Sequence, residues 1–236
     1  MGEPLPRSGA GCRVASAGMD PLHARLARLG LESAADYGFV LAGGYAVQAH
    51  GFLERLSDDV DLFTDVGDPV AFAEAVAAVA DAYRQAGMTV EIERRGDVFA
   101  RLSVVDEQGR EAKVELGCDW RARPPAFLEI GPVLHADDAV ANKVTTLFGR
   151  AAPRDYLDVH AALVSGRYSG DRLLELAEEH DGGFDRSYFA RALRAVDRWP
   201  DREYEIYGIG KDQVEDMRER LRRWAAQILQ KDPREQ

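Results

Sequence analysis

Phe39-Val40-Leu41-Ala42-Gly43-Gly44-Tyr45-Ala46-Val47-Gln48-Ala49-His50-Gly51-Phe52-Leu53-Glu54-Arg55-Leu56-Ser57-Asp58-Asp59-Val60-Asp61-Leu62-Phe63 is the stretch on which the reading of this chain turns. Residues 39–42 are apolar and short, as a buried strand should be, and two glycines stop them. The residues between Gly44 and Asp59 suffice for one helix and a return to the sheet. Asp59 and Asp61 then stand two apart on a second strand, so both carboxylates leave the same face, with Val60, Leu62 and Phe63 supplying an apolar side. Glycine without a Cβ lets a phosphate approach the backbone, and N–H groups opening a helix point at such an anion. Two hard oxygen ligands beside a phosphate cradle suit Mg²⁺-assisted phosphoryl or nucleotidyl transfer.

Outward from this stretch, the composition is that of an ordinary globular protein. The chain has 236 residues, 30% charged and 46% hydrophobic, enough for one large domain or two small ones. No apolar run approaches the roughly 18 residues of a membrane span, and no signal peptide is visible. Cys12 and Cys118 are the two cysteines, which makes a disulfide framework unexpected and the cytoplasm the default compartment. A net charge of −11 argues against a surface built for non-specific nucleic-acid binding. Arg218, Arg220, Arg222, Arg223 and Lys231 are read as solvating a helix face, a local basic groove being the alternative.

Residues 1–18 show no periodicity and read as a disordered tail, with Met19 a candidate native start. Helical spacing predicts helices from Asp20-Pro21 with Leu22, Leu26 and Leu29 inward, and from Asp68-Pro69 with Phe72, Val76 and Val79 inward, Gly87 ending the second. Strands are expected over 88–93, 98–105 and 113–117, with a hairpin turn at 106–110. In the last strand Val114 and Leu116 alternate with Glu115, which puts the acid on the face away from the core. Residues 121–132 are proline-rich and read as an irregular boundary. Helices follow over 136–150, with Val140, Val144, Leu147 and Phe148 buried, and over 155–164, then 171–180, 186–199 and 211–231. His50 and His160 lack metal-ligand spacing and are assigned to packing or hydrogen bonding. The expected fold is α+β: a small mixed sheet with flanking helices over 19–132, followed by a helical half over 133–236.

Two motifs carry a resemblance. Gly43-Gly44 followed by Arg55-Leu56-Ser57-Asp58-Asp59-Val60-Asp61-Leu62-Phe63 resembles the polymerase-β-type nucleotidyltransferases, and within them the AbiEii/AbiGii toxin family that includes the MenT toxins. Lys143, Arg150, Arg154-Asp155 and Asp158 resemble that family's second signature. The resemblance implies Mg²⁺, or Mn²⁺, held by Asp59 and Asp61, with Glu115 as third carboxylate or general base and Asp119 its rival. It implies an NTP bound by Gly43, Gly44, Lys143 and Arg150, with Tyr45, Arg55 and Ser57 assisting. Asp155 would orient Lys143 or the nucleotide, with Asp158 a weaker candidate. Many superfamily members have a serine after the first glycine; Gly44 stands there, so that side-chain phosphate contact is absent.

The implied activity is addition of nucleotides to tRNA by a toxin with a cognate antitoxin, and in some relatives the serine matching Ser57 looks like a phosphorylation target of that antitoxin. Two alternatives stay open: a small-molecule nucleotidyltransferase, which the acidic charge favours for cationic substrates, and an inactive nucleotide-binding module.

Overall fold

The computed structural model describes residues 18–231 other than 54 and 56; the expected tail, apart from Gly18, and Cys12 with it, lies outside the described residues. In chain order the elements are α1 (Pro21–Ser33), β1 (Val40–Leu41), α2 (Gly43–Ala49), β2 (Asp59–Thr64), α3 (Pro69–Gln85), β3 (Thr89–Arg95), β4 (Phe99–Val105), β5 (Glu111–Cys118), β6 (Ala126–Leu128) and β7 (Gly131–Val133). Then come α4 (Ala136–Arg150), α5 (Pro153–Val164), α6 (Gly170–His180), α7 (Arg186–Arg194), α8 (Arg202–Glu205) and α9 (Lys211–Gln230).

Local chemistry accounts for the helix starts. Asp20 accepts from the N–H groups of Leu22 and His23, Asp68 from that of Val70, and a proline occupies the first turn in both α1 and α3. Proline fits there because its missing N–H would have no intrahelical partner. Gly87, at φ +86°, closes α3 in the left-handed region expected of such a stop.

The strands form one seven-stranded sheet in the order β3-β4-β5-β2-β1-β7-β6. β3, β4 and β5 run as an antiparallel meander, β5 and β2 pair in parallel, and β2 and β1 are antiparallel. Alternation then sets the two faces. Val60, Leu62, Val114, Leu116, Leu102 and Val104 are fully buried on the face covered by α1 and α3, and each contributes roughly 1.5–3 kcal/mol by leaving water. Asp59, Asp61 and Glu115 therefore fall on the opposite face.

The structure corrects several expectations. Residues 121–132 are not irregular throughout: β6 and β7 form a hairpin that extends the sheet beyond β1, with Leu41 opposite Val133. Three-residue strands, one of them β7 with Pro132 at its centre, carry no period to detect. β1 is only two residues long, since Ala42 already caps α2, which starts on Gly43 itself. Phe63 lies on the acids' side of β2, where it packs against Gly117. The helix expected over 186–199 ends at Arg194 and continues as a 3₁₀ turn, Ala195–Arg198.

Two apolar clusters fill the molecule. One joins α1, α3 and the sheet; the other joins α4, α5, α6, α7 and α9 around Tyr156, Phe189, Leu193 and Trp224. Phe52, in the loop after α2, packs against both.

Candidate active site

In the parallel pairing of β2 with β5, Asp61 stands opposite Glu115 and Asp59 opposite Lys113. Carboxylate oxygens of Asp59, Asp61 and Glu115 all lie within 4.8 Å of one another. Burial, then the neighbouring charge of Asp59, pushes the Asp61 carboxyl up to about 7, with Lys143 acting in the opposite sense. Glu115 accepts two hydrogen bonds from Arg101, which faces it on β4. Asp119 lies in another cluster, accepting from Asn142 Nδ2 at 2.8 Å and pairing with His180 at 3.6 Å.

The glycine pair sits directly against these acids. A Cβ built on Gly43 would fall 1.6 Å from Asp61 Oδ2, and Gly43 has φ +59°. A Cβ on Gly44 would fall 2.7 Å from Ser57 Oγ. Ser57 is buried, and its hydroxyl lies 3.5 Å from Asp59 Oδ1. The glycines thus admit the site's own carboxylate and hydroxyl, a tighter requirement than the approach of a ligand alone.

The helical half brings the cations. Lys143 on α4 is buried, with Nζ 3.2 Å from Asp158 Oδ2 on α5. Asp158 also receives Arg55 Nε at 2.8 Å and Arg55 Nη2 at 2.7 Å, one on each oxygen. Burial works against the charge on Asp158, but Lys143 and Arg55 overcome it and hold the carboxyl below its ordinary range. Asp155 instead takes Arg150 in a two-point pair at 2.9 and 2.8 Å, and accepts from the Ala152 N–H. Of the two roles expected of Asp155, orienting Lys143 or the nucleotide, the first does not match the pairing: the carboxylate that meets Lys143 is Asp158. Spacing alone could not have shown this, because Asp155 and Asp158 stand three apart on one helix and the second partner of Asp158, Arg55, is 103 residues away in sequence.

Two other sequence candidates turn inward. Arg55 is buried in its pair with Asp158 and stacks 5.6 Å from the Tyr207 ring, so its charge is committed to the protein. Tyr45 is 1% exposed and shares a 2.6 Å hydrogen bond with His23 Nδ1, and burial pushes its hydroxyl up to about 12. At the surface, Arg154 pairs with Asp58 at 2.7 Å, and the Arg150 side chain keeps 48% of its surface exposed. The arginines of α9 and the lysine at its end meet carboxylates: Arg218 meets Asp201, Arg220 Asp216, Arg222 Glu215, Arg223 Glu219 and Lys231 Asp171.

Comparison with known proteins shows the family and the fold. The profile of the family described as nucleotidyl transferase AbiEii toxin, Type IV TA system, matches residues 25–235. Among solved structures, MenT4, a nucleotidyltransferase toxin of Mycobacterium tuberculosis H37Rv, aligns with a TM-score of 0.59 at 19% identity, covering 91% of this chain and 85% of that one. A putative nucleotidyltransferase from Helicobacter pylori aligns at 0.56 and 19% identity, over 88% of this chain and 93% of that one. JHP933, also from Helicobacter pylori, aligns at 0.55 and 19% identity, over 88% and 90%. At such identity the structural likeness is one of fold. No curated protein matches the chain.

Proposed function

The chain belongs to the AbiEii family of nucleotidyl transferase toxins, and from that premise we propose that it moves a nucleoside monophosphate from an NTP to a hydroxyl at the 3′ end of tRNA, with Mg²⁺ or, in its place, Mn²⁺. The observation that carries this reading is the convergence of Asp59, Asp61 and Glu115 to within 4.8 Å on the sheet face that Lys143 adjoins.

Three carboxylate oxygens at that spacing fit a hard divalent cation. The negative charge that burial and Asp59 oppose on Asp61 is one a cation would balance. Bound there, such an ion supplies charge neutralisation to the donor's phosphate oxygens. The rest is done by the protein's own groups. Lys143, oriented by Asp158, offers the triphosphate a fixed positive charge. Arg150, steadied by Asp155, adds a second at the exposed side. Gly43 and Gly44 keep the backbone against the acids, so that phosphate oxygens meet N–H groups beside the carboxylates. The acceptor hydroxyl attacks the α-phosphorus and passes its proton to a neighbouring carboxylate or water, while the bond to the β-phosphate breaks and pyrophosphate leaves.

In this assignment residues 19–132 carry the carboxylates and 133–236 the cations, as two units meeting at the site. A cognate antitoxin is the partner implied by the family's Type IV description, and the cytoplasm, where tRNA resides, is the place of action. Among the described residues no helix is long and apolar enough to cross a membrane.

One observation favours a second reading. The arginines of α9 are spent on carboxylates, and with a net charge of −11 this suits a small cationic acceptor better than a polyanion. Each α-labelled NTP, incubated with total tRNA and Mg²⁺, separates the two. Label on tRNA 3′ ends, lost in Asp59→Ala and Asp61→Ala, is the expected result. Unlabelled RNA from an enzyme that still binds NTP and metal would transfer the assignment to a small-molecule acceptor.

A further inference from the structure

The metal site, on the reading just given, includes one carboxylate that its arginine partner engages through a single oxygen. Arg101 stands opposite Glu115 across the antiparallel β4–β5 pair, and Glu115 stands opposite Asp61 across the parallel β5–β2 pair. The three side chains make one row across three strands on the same face. Arg101 Nε and Nη2 both donate to Glu115 Oε1, at 2.8 and 2.5 Å.

Several arginine forks in the molecule engage both oxygens of a carboxylate, whereas Arg110 sets Nε and Nη2 on Oδ2 of Asp106 alone, the Oδ1 there accepting from the N–H groups of Gln108 and Arg110. Arg55 divides its two donors between Oδ1 and Oδ2 of Asp158, Arg150 does so on Asp155, and Arg186 does so on Glu178. That two-point arrangement is the usual one for a guanidinium and a carboxylate. At Glu115 the guanidinium takes Oε1 twice and makes no hydrogen bond to Oε2. The side chains are 30% and 19% exposed, so packing as well as hydrogen bonding restricts them.

We infer that Arg101 is a positioning residue that makes Glu115 a one-oxygen ligand and thereby selects the ion. Mg²⁺ and Mn²⁺ take carboxylates one oxygen at a time in octahedral sets, whereas Ca²⁺ accepts more ligands and often both oxygens of a carboxylate. With Oε1 occupied, Glu115 supplies only what the smaller ions use. Released from Arg101, it would swing to offer both oxygens, and the site would tolerate Ca²⁺ better.

The test is direct binding without nucleotide: Mn²⁺ titration followed by electron paramagnetic resonance, with Ca²⁺ as competitor. In Arg101→Gln, Mn²⁺ binding is expected to weaken about ten-fold, as loss of a ligand's hydrogen-bonded support does elsewhere. Competition by Ca²⁺, relative to Mn²⁺, is expected to strengthen. Arg101→Lys, which returns a positive donor to the same oxygen, is expected to restore the ratio toward that of the wild-type protein. Equal weakening of both ions, or no change in either, in a variant that melts at the wild-type temperature would overturn the inference. Asp61→Asn separates this from the reading beneath it. If that variant keeps full Mn²⁺ affinity, the metal site itself is misassigned; if it loses affinity while Arg101→Gln leaves the ratio unchanged, only the role of Arg101 falls.

Discussion

At Gly43 any side chain would collide with the carboxylate it adjoins. Alanine there would place Cβ 1.6 Å from Asp61 Oδ2 and hold a residue with a Cβ at φ +59°. Gly43→Ala is expected to cost about 1 kcal/mol or more in urea unfolding, and to abolish Mn²⁺ binding because Asp61 must move. At Gly44 the neighbour is a hydroxyl, 2.7 Å from the added atom, so Gly44→Ala is expected to cost less and to disturb Ser57 first. Phosphate on Ser57 would set negative charge beside Asp59, whose oxygen is already 3.5 Å from the hydroxyl, and Ser57→Asp is expected to weaken Mn²⁺ binding in the same titration. The residue types and their spacing were legible from the sequence, and so was the shared face of Asp59 and Asp61. The reason for the glycines was not, because the groups that exclude a Cβ, Asp61 on β2 and Ser57 in the loop before it, lie outside the helix that carries the glycines.

Among the elements, the loop between α2 and β2 and the helix α5 depend on each other. Asp158 of α5 neutralises Arg55 of that loop and Lys143 of α4, and both Asp158 and Arg55 are almost wholly buried. Removing the charge from one member leaves buried cations without compensation, which typically costs about 3–5 kcal/mol. Asp158→Asn is therefore expected to lower stability by an amount of that order in chemical denaturation, and to release Lys143 from its orientation. Asp155→Asn, which faces the half-exposed Arg150, is expected to cost markedly less. Long elements with strong periodicity were readable: α3 stands with the cap and inward residues that spacing predicts, and α4 with Val140, Val144 and Leu147 buried, although Phe148 is only partly so. The β6–β7 hairpin was not, since strands of three residues take their identity from the edge they join. The partner of Lys143 was equally hidden, because two acids three apart on one helix look alike until their neighbours are known.

Across the whole molecule, Asp119 at the end of the sheet segment ties the two apolar clusters together through Asn142 of α4 and His180 of α6. Burial alone would lower the His180 pKa, but Asp119, with Asp138 and Asp181, raises it above 6.5. A group whose folded pKa is raised stabilises fully below its unfolded value and loses that contribution as pH climbs through the folded value. Thermal stability is thus expected to fall as pH rises from about 6.5, the unfolded histidine value, and His180→Asn is expected to flatten that part of the profile. The α+β architecture was accessible from the order of periods along the chain. How the halves meet was not, for it rests on single side chains rather than on any repeating pattern.

The order in which the site's parts occur along the chain sets when a newly made molecule becomes dangerous. Asp59 and Asp61 leave the ribosome early, Glu115 must follow to pair with them through β5, and Lys143 and Asp158 come later still. Because neighbours in the finished site are so distant in the chain, a fragment ending before α4 holds the three carboxylates but neither Lys143 nor Asp158. On the proposed assignment translation is its own safety catch: a chain cut short before α5 would lack Asp158 and the packed helical half, and is expected to transfer no label from any NTP.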